Sequence, residues 1–193
     1  FSDFIKLNHY TYRVSYDESI AALEKIYDEL KDAPGVHKEG APRILIMGRA
    51  VALGDYMVPS IIEAPGGEIV TEFLDEAIRP FHCDISTEGD VIEAYASAMY
   101  DKKVPITIFQ PAWDTRFEHL EELIKEYKVD GILWYQLAFD EIYDMEFTVL
   151  RAKLAKMGMP VMKLESSYEY SREAMAPLTT RLESFVESIK EAK

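Results

Sequence analysis

Short apolar runs bounded by glycine or proline recur along this chain, and a stretch with helical spacing follows each one. Arg43–Gly48, residues 131–135 and residues 160–164 are the clearest runs, with a weaker one at 68–71. Runs this short, rich in β-branched or aromatic residues, read as buried strands rather than helices. Residues 55–64, 90–100, 115–127, 141–157 and 172–192 carry the helical pattern. Regular alternation of this kind implies right-handed crossovers, and therefore parallel strands with helices on both faces.

The expected class is α/β: a Rossmann-like (flavodoxin-like) parallel sheet of about four strands with helices on both faces. Residues 41–193 are assigned to that domain and residues 1–40 to an N-terminal helical lead-in. Within the lead-in, residues 17–32 place Ile20, Leu23, Ile26, Tyr27 and Leu30 on one helical face. Ser15 or Asp17 caps that helix, and Pro34-Gly35 ends it. Residues 104–109 read as a short extended segment. Asp114 is expected to cap the helix at 115–127, and Gly158 to close the one at 141–157. Ligands of such sheets sit beyond the carboxyl ends of the strands. Those ends are residues 48–55, 72–81, 136–144 and 165–170.

Bulk properties narrow the function. With 48% hydrophobic residues the chain supports a sizeable core, yet its longest apolar runs are too short to cross a bilayer. A formal charge of -14 argues against a phosphate-tracking surface, so neither nucleic acid nor membrane is an expected partner. Cys83 is the single cysteine. It rules out an internal disulfide framework, fits a reducing cytoplasm, and cannot alone supply the thiolates of an iron–sulfur cluster. The chain opens on Phe1 rather than Met, as a fragment or a trimmed chain would, and the sequence is silent about what preceded it.

Few local motifs carry chemistry by themselves. The turn from Gly48 to Asp55 matches no phosphate-binding loop, and no nucleotide cofactor is expected. Arg79 either pairs with a carboxylate or phosphate or anchors its loop to Asp75 or Glu76. His82-Cys83-Asp84 lacks the spacing of a metal site, and Cys83 reads as a buried or loop thiol. The densest stretch is residues 134–144, which leaves a strand and enters a helix with three acids and several aromatics. Asp140 there could ligate a metal, act as a base, or cap the helix that begins at Glu141; capping is the commonest of these roles.

At this loop the chain resembles the C-terminal half of subunits of the 2-hydroxyacyl-CoA dehydratase and benzoyl-CoA reductase family. Four ordered stretches carry the resemblance. They are Arg43–Gly48 with Asp55 and Val58-Pro59; residues 72–81 with Arg79; residues 129–139; and residues 160–165 followed by 178–185. The likeness runs from about Ser15 onward. It implies a heteromeric enzyme whose subunits have two Rossmann-like halves, with a [4Fe–4S] cluster held by cysteines between them. It also implies a second subunit and a separate ATP-hydrolysing activator that delivers one electron. That electron turns an (R)-2-hydroxyacyl-CoA into a ketyl radical, from which water leaves. Arg49, Arg79 and Gln136 are the substrate-binding residues the resemblance suggests. Asp140 falls at the place of a cluster cysteine and is the candidate metal ligand. Asp75 falls at a second cysteine position, and Arg49 where cysteine or serine is common.

Three functional expectations follow. The chain belongs to an active dehydratase or reductase subunit with Asp140 as an unusual ligand; or it has lost the cluster and serves as a structural or acyl-CoA-binding partner subunit; or it is an unrelated flavodoxin-like binding domain.

Overall fold

The structure, a computed structural model, describes residues 1–52, 54–75, 77–105, 112–169 and 171–192. Its centre is a sheet of four parallel strands: β1 (Arg43–Gly48), β2 (Glu68–Leu74), β3 (Gly131–Leu137) and β4 (Val161–Ser166), in the spatial order β2-β1-β3-β4. The chain leaves β1 for β2 on one side, then returns past β1 to β3 on the other. That reversal makes the carboxyl ends of β1 and β3 the topological switch point, where open α/β sheets hold ligands in a crevice.

Alternation along each strand feeds two cores. Ile44, Ile46, Leu133, Tyr135 and Leu164 point to one face and meet Val58 and Ile62 of α3 (Met57–Glu63) and Leu182 and Ile189 of α7 (Arg172–Glu191). Leu45, Met47, Ile132 and Trp134 point to the other. There they meet Leu120 and Ile124 of α5 (Ala112–Glu126) and Leu150 and Leu154 of α6 (Glu141–Met157). Each fully buried side chain of this size contributes roughly 1.5–3 kcal/mol. The two-faced α/β architecture is therefore the one expected from the sequence.

The lead-in resolves into α1 (Ser2–Thr11) and α2 (Tyr16–Leu30). α1 gives no separate signal in the sequence, yet Ile5 is buried in the first core and Asn8 Nδ2 donates to the Ala77 carbonyl at 2.8 Å. Ser15 is the cap of α2, accepting from the Glu18 amide at 3.3 Å. The apolar face of α2 departs from expectation. Ile20, Leu23, Tyr27 and Leu30 are exposed, and only Ser19, Ala22 and Ile26 turn toward the fold. The reason is that α1 takes the place beside the core and is α2's main neighbour.

Smaller differences lie at element ends. β2 continues to Leu74 and β4 to Ser166. α4 (Val91–Ser97), capped by Asp90, passes into a wide π-type turn at Ala98–Lys102 instead of remaining α-helical to residue 100. α5 starts at Ala112, so Asp114 lies in its first turn and bonds Lys153 Nζ at 2.8 Å rather than capping the helix. Of the extended segment expected at 104–109, residues 106–109 lie outside the described residues.

Candidate functional site

The carboxyl ends of β1 and β3 approach closely because Gly48 ends β1. Its φ is +111°, and a Cβ at this position would collide with the Tyr135 carbonyl oxygen. The Arg49 amide donates to that same oxygen at 2.9 Å. This turn directs the Arg49 side chain across the crevice, where its guanidinium meets Asp140 Oδ2 at 2.9 Å and lies 5.8 Å from the Tyr143 ring centre. Asp140 occupies the cap position of α6 but makes no side-chain cap bond. Its carboxylate faces Arg49 instead, which corrects the capping expectation. Beside it, Phe139 adopts a left-handed backbone (φ +66°) with its side chain 97% exposed.

The end of β2 is held from within. Both carboxylate oxygens of Glu72 accept backbone N–H groups, those of Leu74 and Ile78, at 2.6 Å each. Burial pushes the Glu72 carboxyl up to about 7, against the opposing pull of those two donors. The turn so clamped presents Asp75, which accepts a hydrogen bond from the Tyr143 hydroxyl and lies 3.8 Å from Arg116. Arg116 is itself buried, donating from Nε to Glu146 at 2.8 Å and from Nη1 to the Pro105 carbonyl at 2.8 Å. Burial raises the Glu146 carboxyl, and Arg116 opposes that rise. Burial likewise raises the Tyr143 phenol well above its ordinary value. Tyr143, Asp75, Arg116 and Glu146 thus form a polar chain under the carboxyl edge, linking β2, α5 and α6.

The three residues expected to bind substrate and the candidate metal ligand Asp140 divide between two settings. Arg49 and Asp140 are brought together, partly exposed, at the crevice. Arg79 and Gln136 bond elsewhere. Arg79 begins the 3₁₀ turn Arg79–Phe81 and donates from Nε to the Val104 carbonyl at 2.8 Å, with a longer 3.5 Å contact to the Asp75 carbonyl. It is therefore a loop anchor, although through a backbone oxygen of Asp75 rather than the carboxylate; Glu76 lies outside the described residues. Gln136 is fully buried, accepting from Trp134 Nε1 at 2.9 Å and donating to Asp144 at 3.0 Å. Asp144 in turn bonds Lys163 of β4, which holds its carboxyl below the usual range. Tyr143, Arg116, Glu146 and Glu72 were not singled out in the sequence. Arg116 and Glu146 lie 30 residues apart on different helices, so no local pattern joins them.

The donor set does not fit an iron–sulfur cluster. The Asp140 carboxylate is engaged by Arg49, and Asp75 by Tyr143 with Arg116 close by. Cys83 Sγ donates to the Ala98 carbonyl at 3.4 Å, outside this constellation. Among the described residues no three His, Cys, Asp or Glu side chains are grouped to hold a metal ion. Cluster iron calls for several thiolates, and a guanidinium beside the ligand position would oppose a cation.

Comparison with known proteins agrees with the architecture. Residues 1–189 match the family described as 2-hydroxyglutaryl-CoA dehydratase, D-component. The chain is similar to the Escherichia coli (strain K12) protein YjiM, named as a dehydratase subunit, at 25% identity over 97% of this chain and 49% of YjiM. It is also similar to the beta subunit of (R)-2-hydroxyglutaryl-CoA dehydratase from Acidaminococcus fermentans, at 25% identity over 90% of this chain and 45% of that subunit. The chain spans about half the length of these relatives. Among the described residues, no helix is long and apolar enough to cross a membrane.

Proposed function

Because the chain belongs to the 2-hydroxyglutaryl-CoA dehydratase D-component family, we propose that it works as a cluster-free part of a 2-hydroxyacyl-CoA dehydratase-type enzyme, one that binds acyl-CoA beside a second subunit. Family membership removes the unrelated flavodoxin-like domain from consideration. The observation that supports the cluster-free reading is the Arg49–Asp140 ion pair, formed by two residues at positions where the family likeness leads one to expect cysteine, or at Arg49 cysteine or serine.

The reaction of the assembly is elimination of water from an (R)-2-hydroxyacyl-CoA. The dehydratase names of both relatives favour it over aryl-CoA reduction. Any [4Fe–4S] centre, and the ATP-dependent activator that feeds it, belongs on this reading to other parts of the assembly, in the cytoplasm of an anaerobic cell. Within this chain Arg49 meets an oxyanion of the coenzyme A ester, exchanging Asp140 for the ligand. Arg79 steadies the adjoining turn through Val104, and Gln136 supports the loop from below through Asp144.

Anaerobic purification is expected to yield colourless protein without iron or sulfide. Calorimetry is expected to show (R)-2-hydroxyacyl-CoA binding that Arg49→Ala weakens about tenfold or more. Stoichiometric iron with a thiolate-to-iron absorption band would overturn the cluster-free reading. Absence of acyl-CoA binding would overturn the substrate role.

A further inference from the structure

On α2, Tyr16, Ile20, Leu23, Tyr27 and Leu30 recur at spacings of four and three, and their exposures run from 40% to 89%. At 100° per residue they fall within an arc of roughly 80°. Ser19, Ala22 and Ile26 occupy the adjoining arc and alone turn toward the fold. The helix is thus apolar over two adjacent stripes, of which the fold covers one. Single exposed apolar residues are ordinary, but a contiguous stripe along a whole helix marks an interaction surface.

Charge selects the occupant. Asp17, Glu24 and Asp28 border the open stripe on its solvent side; Lys25 lies beyond them, and Lys31, which sits over the Tyr27 ring at the end of the stripe, is paired with Asp28 at 2.6 Å. The chain as a whole carries -14, so a second copy would bring like charge to an acidic rim. The helix is 15 residues long, about 22 Å, and its Ser15 cap holds it ordered before any partner arrives. We propose that this stripe is a docking surface for an amphipathic helix of a partner protein, one whose apolar face is edged by lysine and arginine. Helix-on-helix recognition through i, i+4, i+7 anchors is the mode such a stripe fits, and the basic edge supplies the register. The proposal concerns the outer face of α2 and is independent of acyl-CoA binding at the crevice.

The probe is a synthetic helix of about three heptads with a leucine stripe edged by lysine, compared with the same stripe edged by glutamate. Fluorescence anisotropy is expected to show that the chain binds the lysine-edged helix, more weakly as salt rises, and not the glutamate-edged one. Leu23→Ser combined with Tyr27→Ser retains every charge. It is expected to weaken binding about tenfold or more while leaving the circular dichroism spectrum unchanged. Glu24→Lys with Asp28→Lys is expected to transfer preference to the glutamate-edged helix. Failure to bind the lysine-edged helix, equal binding of both probes, or indifference to the serine substitutions would each overturn the proposal. So would a chain that sediments as a dimer which the serine substitutions convert to monomer, since a second copy would then be the occupant.

Discussion

At Asp75 and Asp140 the chain places carboxylates where the family likeness leads one to expect thiolates, and each carboxylate has its own counter-group: Arg49 for Asp140, Tyr143 and Arg116 for Asp75. The two settings differ in consequence. Arg49 and Asp140 are partly exposed, so their pair is worth at most about 1 kcal/mol. Arg116 is buried between two acidic residues, and removing one member of a buried network leaves uncompensated charge. Arg116→Met is therefore expected to lower unfolding free energy by about 3–5 kcal/mol in urea titrations, and adding Glu146→Gln should recover part of it. Additive losses would show that Arg116 and Glu146 are not coupled. Glu72 makes a pH-dependent prediction. It is 3% exposed, with its carboxyl raised from 4.5 to about 7. Between those values the folded chain binds more protons than the unfolded one, so Glu72's contribution is full below 4.5 and is lost as pH rises through about 7. Wild type should accordingly lose up to the order of 3 kcal/mol more than Glu72→Gln across that interval. Parallel stability curves would refute it.

Among the elements, β1 and the loop after β3 show which conformations the chain tolerates. Gly48→Ala places a Cβ against the Tyr135 carbonyl oxygen at a φ of +111°, and a loss of at least about 2 kcal/mol is expected from thermal melts. Phe139 is the converse case. Its left-handed backbone is strained while its side chain buries almost nothing, so Phe139→Gly should leave stability unchanged or raise it by up to about 1 kcal/mol. A marked loss would mean that the ring makes a contact the exposed surface does not suggest. These elements also show what was legible in advance. Short apolar runs bounded by Gly or Pro located β1 and β3, because both faces of those strands are buried, and 3.6-residue spacing located α6 and α7. The Asp140 position was also legible, since an aspartate entering a helix is a local signal. Its counter-ion was not, because Arg49 lies 91 residues away and nothing in either segment encodes the pairing. Asp114 misled for a related reason: Lys153, 39 residues on, holds its carboxylate.

For the whole molecule, the instructive contrast is between the two lead-in helices. Periodicity favours α2 as the one that packs, because its apolar stripe is long and regular. The fold instead inserts Ile5 of α1 into the core shared by Val51, Leu74 and Ala77, and leaves most of the α2 stripe in water. Amphipathicity tells which face of a helix will be covered, not by what, and here the occupant of the α2 stripe lies outside the described chain. The two helices should then respond oppositely to the same truncation. Ile5→Ala removes a side chain only 2% exposed and is expected to cost about 2–4 kcal/mol. Ile20→Ala removes one that is 54% exposed, and a change within about 0.5 kcal/mol is expected. Urea unfolding of both variants checks the pair. If Ile20→Ala proved the more damaging, α2 would have to pack inward through its regular stripe, and the outward docking face would be lost with it.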